Sequence, residues 1–142
     1  MRTAPLIAGL GLVCLCTAAS AEPTDDVPGW AQRFTQAALK SDPDVIVQII
    51  AEISDPRLNI NGLKAVIQGA LKVIGPEIPE YSEQFGEKDV GSFAKRINVS
   101  VRYSNNFLFY SVVLARGQRG WQLVQVSIDG NLNKILDAPW PT

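Results

Sequence analysis

Apolar, β-favouring sequence fills the second half of this chain in four runs between Ile78 and Asp129, and all of the helix-like pattern comes before them. Short turns separate the runs, which is typical of an antiparallel meander in which each strand pairs with the next. Helices followed by successive strands are the element order of an α+β domain. We therefore predict three N-terminal helices packed on a curved four-stranded antiparallel meander, with the hollow side of the sheet resting on the helices.

The strand signals differ from run to run. Apolar and polar residues alternate from Ser92 to Tyr103, so one set should lie on each face, with Phe93 among the inward-facing residues. The run Phe107–Ala115 is apolar on both faces, as expected for a strand that is covered twice. Gly86 and Gly91 are predicted to mark bulges that bend the sheet. The predicted strands are Tyr81–Lys88, Ser92–Tyr103, Phe107–Ala115 and Trp121–Ile128.

Three amphipathic stripes with helical spacing precede the strands. Pro28 suits the first turn of one helix, Asp42 followed by Pro43 opens a second, and Asn61 is predicted to cap the third. Gly75 before Pro76 ends the third helix, because glycine takes the left-handed cap and proline cannot continue. The stripes are Trp30, Phe34, Ala37 and Ala38; then Ile46, Ile49, Ile50 and Ile53; then Leu63, Val66, Ile67, Ala70, Leu71 and Ile74.

Residues 1–21 have the pattern of a bacterial secretory signal peptide. Arg2 supplies a positive start, Leu6–Val13 is apolar, and Ala19–Ala21 is a small-residue cleavage site. A membrane anchor would need about 20 apolar residues, and Thr17 interrupts the run too early. We predict export to the periplasm or the medium, with no membrane span after cleavage.

Three segments follow the leader. Residues 22–27 are acidic and contain proline, which predicts a flexible tail, and residues 28–136 are predicted to form one domain. Residues 137–142 form a C-terminal tail in which Trp140 stands between prolines. Two interpretations of Trp140 stay open: a latch folded back over the sheet, or an anchor in a partner's groove.

Composition excludes several classes of function. The chain has no histidine, and its two cysteines, Cys14 and Cys16, lie in the leader. The mature protein therefore lacks the commonest general base, the commonest nucleophile and the soft metal ligands. We predict no catalytic residue, no metal site and no cofactor. With 13 basic against 14 acidic residues, a nucleic-acid partner is not expected either.

The final hairpin is the most specific motif. The strand beginning Phe107–Tyr110 is followed by a turn and by Gly120–Val124, and the chain then reaches Asp129-Gly130-Asn131. This pattern resembles the nuclear transport factor 2-like superfamily, the cystatin-like α+β cone shared with ketosteroid isomerases, and the resemblance covers residues 28–136. It implies a cavity between sheet and helices, shallower here because the helical section is short. It also implies dimers through the outer sheet face, and small exported bacterial members of this kind often have no assigned activity.

Aromatic and acidic residues on the predicted strands are the candidates for lining that cavity. For the tyrosines the alternative is packing in the core, and Trp121 could plug the core in the same way. Asp129 could instead make an Asx turn with the residues that follow it. The candidate ligand-binding residues are Tyr81, Tyr103, Phe109, Tyr110, Trp121 and Asp129.

Taken together, these signals predict an exported, non-catalytic binding or scaffolding module with a concave apolar sheet face. Its partner would be a small apolar ligand or an envelope protein, or a second copy bound through the outer sheet face. The alternative is a cofactor-free isomerase- or dehydratase-like enzyme with a carboxylate base, Asp129 or a glutamate, and a tyrosine donor. The resemblance suggests that chemistry, but no isomerase motif recurs here residue by residue.

Overall fold

Helices and strands are segregated along the chain, as the sequence predicts. The computed structural model describes residues 21–136, so residues 1–20 of the leader and the C-terminal tail lie outside the described residues. Three helices precede a four-stranded antiparallel sheet, which confirms the α+β class, and a short helix that we did not predict follows the sheet. The elements are α1 Val27–Lys40, α2 Pro43–Ala51, α3 Ile60–Ile74, β1 Pro79–Val90, β2 Ala94–Tyr103, β3 Phe107–Gly117, β4 Gly120–Asp129 and α4 Leu132–Leu136.

Side-chain caps determine where the helices begin. The Asp26 carboxylate accepts a hydrogen bond from Gly29 N (3.0 Å), and the Asp42 side chain does the same for Asp44 N (3.0 Å). The predicted cap of α3 is wrong by two residues. The cap is Asn59, whose Oδ1 accepts from the backbone N–H three residues on at 2.9 Å, so Asn61 lies inside the first turn.

The sheet order is β1-β2-β3-β4, and each strand is antiparallel to its neighbour. One face, here called the inner face, carries the β2 and β3 residues that share a core cluster with α1, α2 and α3. The opposite set of side chains forms the outer face. The inner-face residues of β2 and β3 are Ile97, Val99, Val101, Tyr103, Leu108, Tyr110, Val112 and Leu114.

The predictions for Gly91 and Phe93 are wrong, because both residues belong to the β1–β2 turn, whereas the prediction for Gly86 is confirmed. Gly86, at φ 61°, does lie where the β1–β2 register shifts, as expected of a bulge. Gly91 has the same φ, but it belongs to the turn between the strands. Because the turn extends through Phe93, that side chain is 64% exposed and does not face the core.

The segment before α1 is hydrogen-bonded to the rest of the domain, where composition predicts a loose tail. Thr24 N donates to Trp121 O (3.0 Å), and Trp121 N donates to Thr24 O (2.8 Å). Glu22 N donates to Glu52 O at 2.9 Å, and Val27 is already helical and buried. Composition could not predict these backbone hydrogen bonds, because it reports only the charge and the proline content of the segment.

At the other end of the domain, α4 packs against β3 and β4. Its Ile135 is buried, yet it is not part of the cluster that α1–α3 and the inner face share. We conclude that α4 lies on the outer face. Within residues 21–136, no helix combines the length and apolar character that crossing a bilayer requires.

Candidate functional site

Aromatic rings fill the middle of the space between helices and sheet. Trp30 stacks on Phe34 with ring centroids 5.3 Å apart, and Phe34 meets Tyr110 edge-on at 5.7 Å. All three side chains are buried, and the Trp30 indole N–H donates to Ile49 O at 3.0 Å. This is the place where the resemblance implies a cavity, and these rings occupy it.

The two buried tyrosines, Tyr103 and Tyr110, lie on the inner face but differ in their hydroxyl contacts. The Tyr103 hydroxyl is 2.5 Å from Ser41 Oγ, whereas the Tyr110 hydroxyl has no partner among the described residues. Burial raises the pKa of Tyr103, and the Ser41 hydrogen bond partly opposes that rise. Burial raises the pKa of Tyr110 far more, and the nearby Tyr103 adds to the effect. Both phenols are therefore held neutral, which suits packing rather than proton transfer.

Replacing each of these tyrosines by phenylalanine should have opposite consequences. Tyr103→Phe removes a hydrogen bond and should lower the free energy of unfolding by about 1 kcal/mol. Tyr110→Phe removes a buried hydroxyl without a partner, so it should leave stability unchanged or raise it by up to about 1 kcal/mol. Urea titration of both variants measures this. A loss of more than about 1 kcal/mol in Tyr110→Phe would mean that its hydroxyl is satisfied.

The raised pKa of Tyr110 also predicts a pH dependence. In the unfolded chain a tyrosine ionises near pH 10, whereas the folded protein keeps Tyr110 neutral to higher pH. The stabilising contribution is complete below about pH 10 and is lost as pH rises toward the folded pKa. Thermal unfolding followed from pH 8 upward should show stability falling above about pH 10. That fall should be smaller in Tyr110→Phe, and equal slopes would contradict the assignment.

Trp121 lies at the N-terminal end of β4, half-buried and packed against the edge of the core cluster. Its backbone pairs with Thr24, and the Lys95 ammonium stands 5.6 Å from its ring centroid. Lys95 Nζ is also 3.7 Å from an Asp89 carboxylate oxygen and 4.0 Å from one of Glu87. Trp121 thus closes one end of the space between the helices and the sheet, and the Lys95 ammonium lies over its ring.

Asp129 lies at the opposite end of β4, and its Oδ1 accepts a hydrogen bond from Asn131 N at 2.8 Å, the Asx turn expected from the sequence. A surface groove of about 240 Å³ opens beside Asp129, between α3, the start of β3 and the end of β4. We call this end of the domain the mouth. Larger grooves, of about 360 and 390 Å³, open near the N-terminal segment, and the first is lined by Gly120 and Gln122, the chain neighbours of Trp121. The lining of the mouth groove is Ala70, Val73, Ile74, Leu108, Asp129 and Gly130.

The remaining candidates, Tyr81 and Phe109, lie on the outer face. Phe109 stacks on Phe107 with centroids 5.9 Å apart, and it meets Phe85 of β1 edge-on at 6.1 Å. Tyr81 lies in the same half of this face and is 56% exposed, and Phe107 is 51% exposed. We call Tyr81, Phe85, Phe107 and Phe109 the aromatic patch. Two of its four members, Tyr81 and Phe109, were candidate ligand-binding residues in the sequence analysis.

Two members of the patch, Phe85 and Phe107, were not among the predicted site residues. Strand alternation could have found Phe107, since Phe107 and Phe109 must lie on the face opposite Tyr110. Phe85 could have been found in the same way, because it stands four residues after Tyr81 on a stretch of β1 with unbroken register, and the shift near Gly86 comes after it.

The candidate site residues therefore divide into three places: Tyr103, Tyr110 and Trp121 are inner-face residues of the core, Asp129 lies at the mouth, and Tyr81 and Phe109 are on the outer face. The structure does not bring all six together around one pocket. Within residues 21–136, no group of three metal-ligating side chains is present.

Comparison with known proteins shows the fold and nothing finer. No family model matches the chain, and neither does any curated protein. A domain of unknown function with a cystatin-like fold from Nostoc punctiforme is similar in structure, with a TM-score of 0.50 and 15% identity, covering 73% of this chain and 74% of its own. A DUF4783 family protein from Bacteroides uniformis gives a TM-score of 0.50 at 8% identity, covering 74% and 97%.

A putative calcium/calmodulin-dependent protein kinase type II association domain from Thiobacillus denitrificans also matches. Its TM-score is 0.49 at 12% identity, and the match covers 79% of this chain and 98% of that one. These likenesses are too distant to carry a function across. They show the fold alone: the chain is similar to a domain with a cystatin-like fold.

Proposed function

We propose that this protein is an exported, non-catalytic interaction module that binds through the aromatic patch on its outer sheet face, and that its partner is a second copy of itself. The observation that carries the proposal is a contrast between the two faces. The inner face is filled by stacked rings, whereas the patch leaves large aromatic side chains in solvent.

The composition of the patch suits a protein interface. Aromatic residues and arginine are the types most enriched at the energetic centres of interfaces. Arg102 stands on β2 between Tyr81 and Phe107, which pair with it from the neighbouring strands. Its Nε is 3.6 Å from a Glu80 carboxylate oxygen, so its charge is already balanced at the rim. Tyr81 and Phe107 are exposed, Phe85 and Phe109 are half-buried, and apolar surface concentrated in this way on one face marks an interaction site more often than scattered single residues do.

The space between the helices and the sheet is a weaker candidate for a binding site than the aromatic patch. The groove at the mouth holds about 240 Å³, below the range of roughly 300–1,000 Å³ that is usual for ligand pockets. The two grooves near the N-terminal segment, of about 360 and 390 Å³, fall within that range, but none of the candidate ligand-binding residues lines them. Its apolar lining includes Val73, which is 86% exposed, so a bound molecule would stay largely in water. A small apolar ligand at this mouth is the second candidate, and it rests on that lining alone.

The contacts of the tyrosines argue against the isomerase-like alternative. The described hydrogen bond of Tyr103 goes to Ser41, and Tyr110 has no described partner, so neither buried phenol meets a carboxylate within residues 21–136. Tyr81 does contact Glu83, at 3.5 Å, but in an exposed position. A carboxylate base needs a sheltered donor near it to act on a bound substrate.

The leader pattern of residues 1–21 supports export.

Light scattering of the purified protein over a wide concentration range tests the proposal. We expect a mass that rises to that of a dimer, and Phe107→Glu should keep the protein monomeric, because a buried, unpaired carboxylate opposes association. Phe93→Glu is the matched control: it places the same charge on an exposed ring in the β1–β2 turn, outside the patch. A monomer at every concentration, or equal effects of the two substitutions, would rule the proposal out.

A further inference from the structure

The two edges of the sheet differ in their protection against an added strand. β1 forms one edge and has three features that discourage such pairing: Pro79 at its start, a bulge near Gly86, and charged side chains along its length. β4 forms the other edge, and its second half, Gln125–Asp129, contains no proline and no bulge, with Asp129 as its one charged residue. We call Gln125–Asp129 the open edge. A strand edge of this kind is a ready template for pairing with another chain.

The first half of β4 is already paired on the side away from β3. Trp121 exchanges backbone hydrogen bonds with Thr24, and Leu123 does so with residues 53–55, which follow α2. That segment cannot extend the pairing along β4, because Pro56 has no N–H and the chain then turns toward α3. Among residues 21–136, no backbone hydrogen bond reaches the same side of the open edge. Its backbone groups there are available to a partner.

An exposed apolar stripe on α3 lies beside the open edge. Val66, Gly69, Ala70 and Val73 have the spacing i, i+3, i+4 and i+7, so they share one face of the helix. Val66 is 56% exposed and Val73 is 86% exposed. α3 packs on β4, and Ala70 and Val73 line the mouth groove together with Asp129. The stripe therefore borders the end of the open edge.

We propose that the open edge and the apolar stripe of α3 together form a binding site for an extended peptide segment of a partner protein, which adds to the sheet beside β4. The backbone of the segment pairs with Gln125–Asp129, as in other cases of strand addition, and one row of its side chains packs on the stripe. The open edge is about 17 Å long, which corresponds to about five extended residues. This surface shares no residue with the aromatic patch, so it does not depend on the partner proposed there.

The side chains around the site specify the chemistry of the segment. α3 carries no acidic residue, and its charged side chains are Lys64, which pairs with Asp44 at 2.6 Å, and Lys72. The row that faces α3 is therefore apolar. On the outer face the neighbours are Gln125 and Ser127, so the alternate row is polar. The partner segment is an amphipathic strand in which apolar and polar residues alternate.

A second copy of this chain fits the site less well than a short segment does. Because α3 packs on β4, pairing β4 with β4 of a second copy would place the two α3 helices roughly one strand spacing, about 5 Å, apart. Packed helices need about 8–10 Å between their axes. A stable complex of two folded proteins also buries roughly 1,200–2,000 Å², which an edge of about 17 Å does not supply.

NMR titration of the purified protein with short synthetic peptides tests the site. Threonine alternates in these peptides with valine, leucine or phenylalanine, and each is added up to millimolar concentration. The amide signals of Gln125–Asp129 and the methyl signals of Val66 and Val73 should shift. Amide protons of the open edge that exchange freely in the unbound protein should become protected when the peptide binds.

Two controls separate strand pairing from apolar contact. The same peptide methylated at every backbone nitrogen keeps its side chains but donates no backbone hydrogen bond, so its affinity should fall about tenfold or more. Val73→Glu should weaken binding by a similar factor, because it places a carboxylate against the apolar row of the peptide. Phe93→Glu adds the same charge to an exposed ring in the β1–β2 turn, and it should bind as the unmodified protein does.

Four results would overturn the proposal. One is the absence of shifts at Gln125–Asp129 with all three peptides. Another is equal affinity of the methylated peptide, which would mean that the mouth groove holds an apolar group without strand pairing. Shifts confined to β1 or to the aromatic patch would assign binding elsewhere. A dimer mass in light scattering that Val73→Glu abolishes and Phe107→Glu does not would identify a second copy as the occupant.

Discussion

Phe34→Ala should lower the free energy of unfolding by about 3–5 kcal/mol, the range for truncating a buried aromatic residue. Phe34 is fully buried and contacts Trp30 on one side and Tyr110 on the other. Removing its ring leaves a void that the two neighbouring rings cannot fill without leaving their own contacts. Urea denaturation followed by circular dichroism measures the loss.

Phe93→Ala is the matched control for this experiment. The same ring is removed from a residue that is 64% exposed in the β1–β2 turn, so the change should stay within about 0.5 kcal/mol. A loss below about 2 kcal/mol at Phe34 would mean that its surroundings are loosely packed. The cavity implied by the family resemblance would then have to be reconsidered as a binding site.

Gly120→Ala should destabilise the protein by about 2–4 kcal/mol, combining backbone strain with a steric clash. Gly120 has φ 127°, which side-chain-bearing residues rarely adopt, and an added Cβ would lie 2.9 Å from the Thr24 carbonyl oxygen. That oxygen accepts the hydrogen bond from Trp121 N, so the substitution also strains the pairing of the N-terminal segment with β4. The melting temperature should fall by roughly 3–6 °C per kcal/mol.

The same hairpin offers a control at Gly117, which pairs with Gly120 across the turn. An added Cβ at Gly117 would meet its nearest atom at 3.9 Å, an ordinary contact, and the backbone there is not left-handed. Gly117→Ala should therefore change stability by less than about 1 kcal/mol. If both alanine variants melt alike, the close approach of Thr24 to β4 is not a feature of the protein in solution.

Most of the fold could be predicted from periodicity because the strongest signals are local. The alternation of β2, the first helical turn at Pro28 and the Asp42 cap before Pro43 each depend on neighbours within a few residues. The errors occur where two local signals compete. Asn59 and Asn61 are both able to cap α3, and the structure uses the one whose side chain reaches Gly62 N.

The site was harder to predict because it depends on which strand face the helices cover. Alternation separates Phe109 from Tyr110 but does not say which of them is inside. That choice follows from packing across the whole sheet, where Tyr110 meets Phe34. The pairing of Thr24 with Trp121 joins residues almost a hundred positions apart, and no local pattern reports such a contact. The helix α4, at five residues, is too short to show a recognisable helical spacing of apolar residues.

The proposed function, with a filled interior and an aromatic exterior, differs from the ligand-binding cone implied by the resemblance. The inner face contributes stability through Trp30, Phe34 and Tyr110, while the outer face carries the side chains available to a partner.

The most direct test of this account is a residue-resolved NMR spectrum recorded over a hundredfold range of protein concentration. The account predicts that concentration-dependent shifts are confined to Tyr81, Phe85, Phe107, Phe109 and their outer-face neighbours, while inner-face signals such as Val112 and Leu123 stay fixed. Spectra that do not depend on concentration, together with inner-face signals that move when an apolar ligand is added, would contradict it.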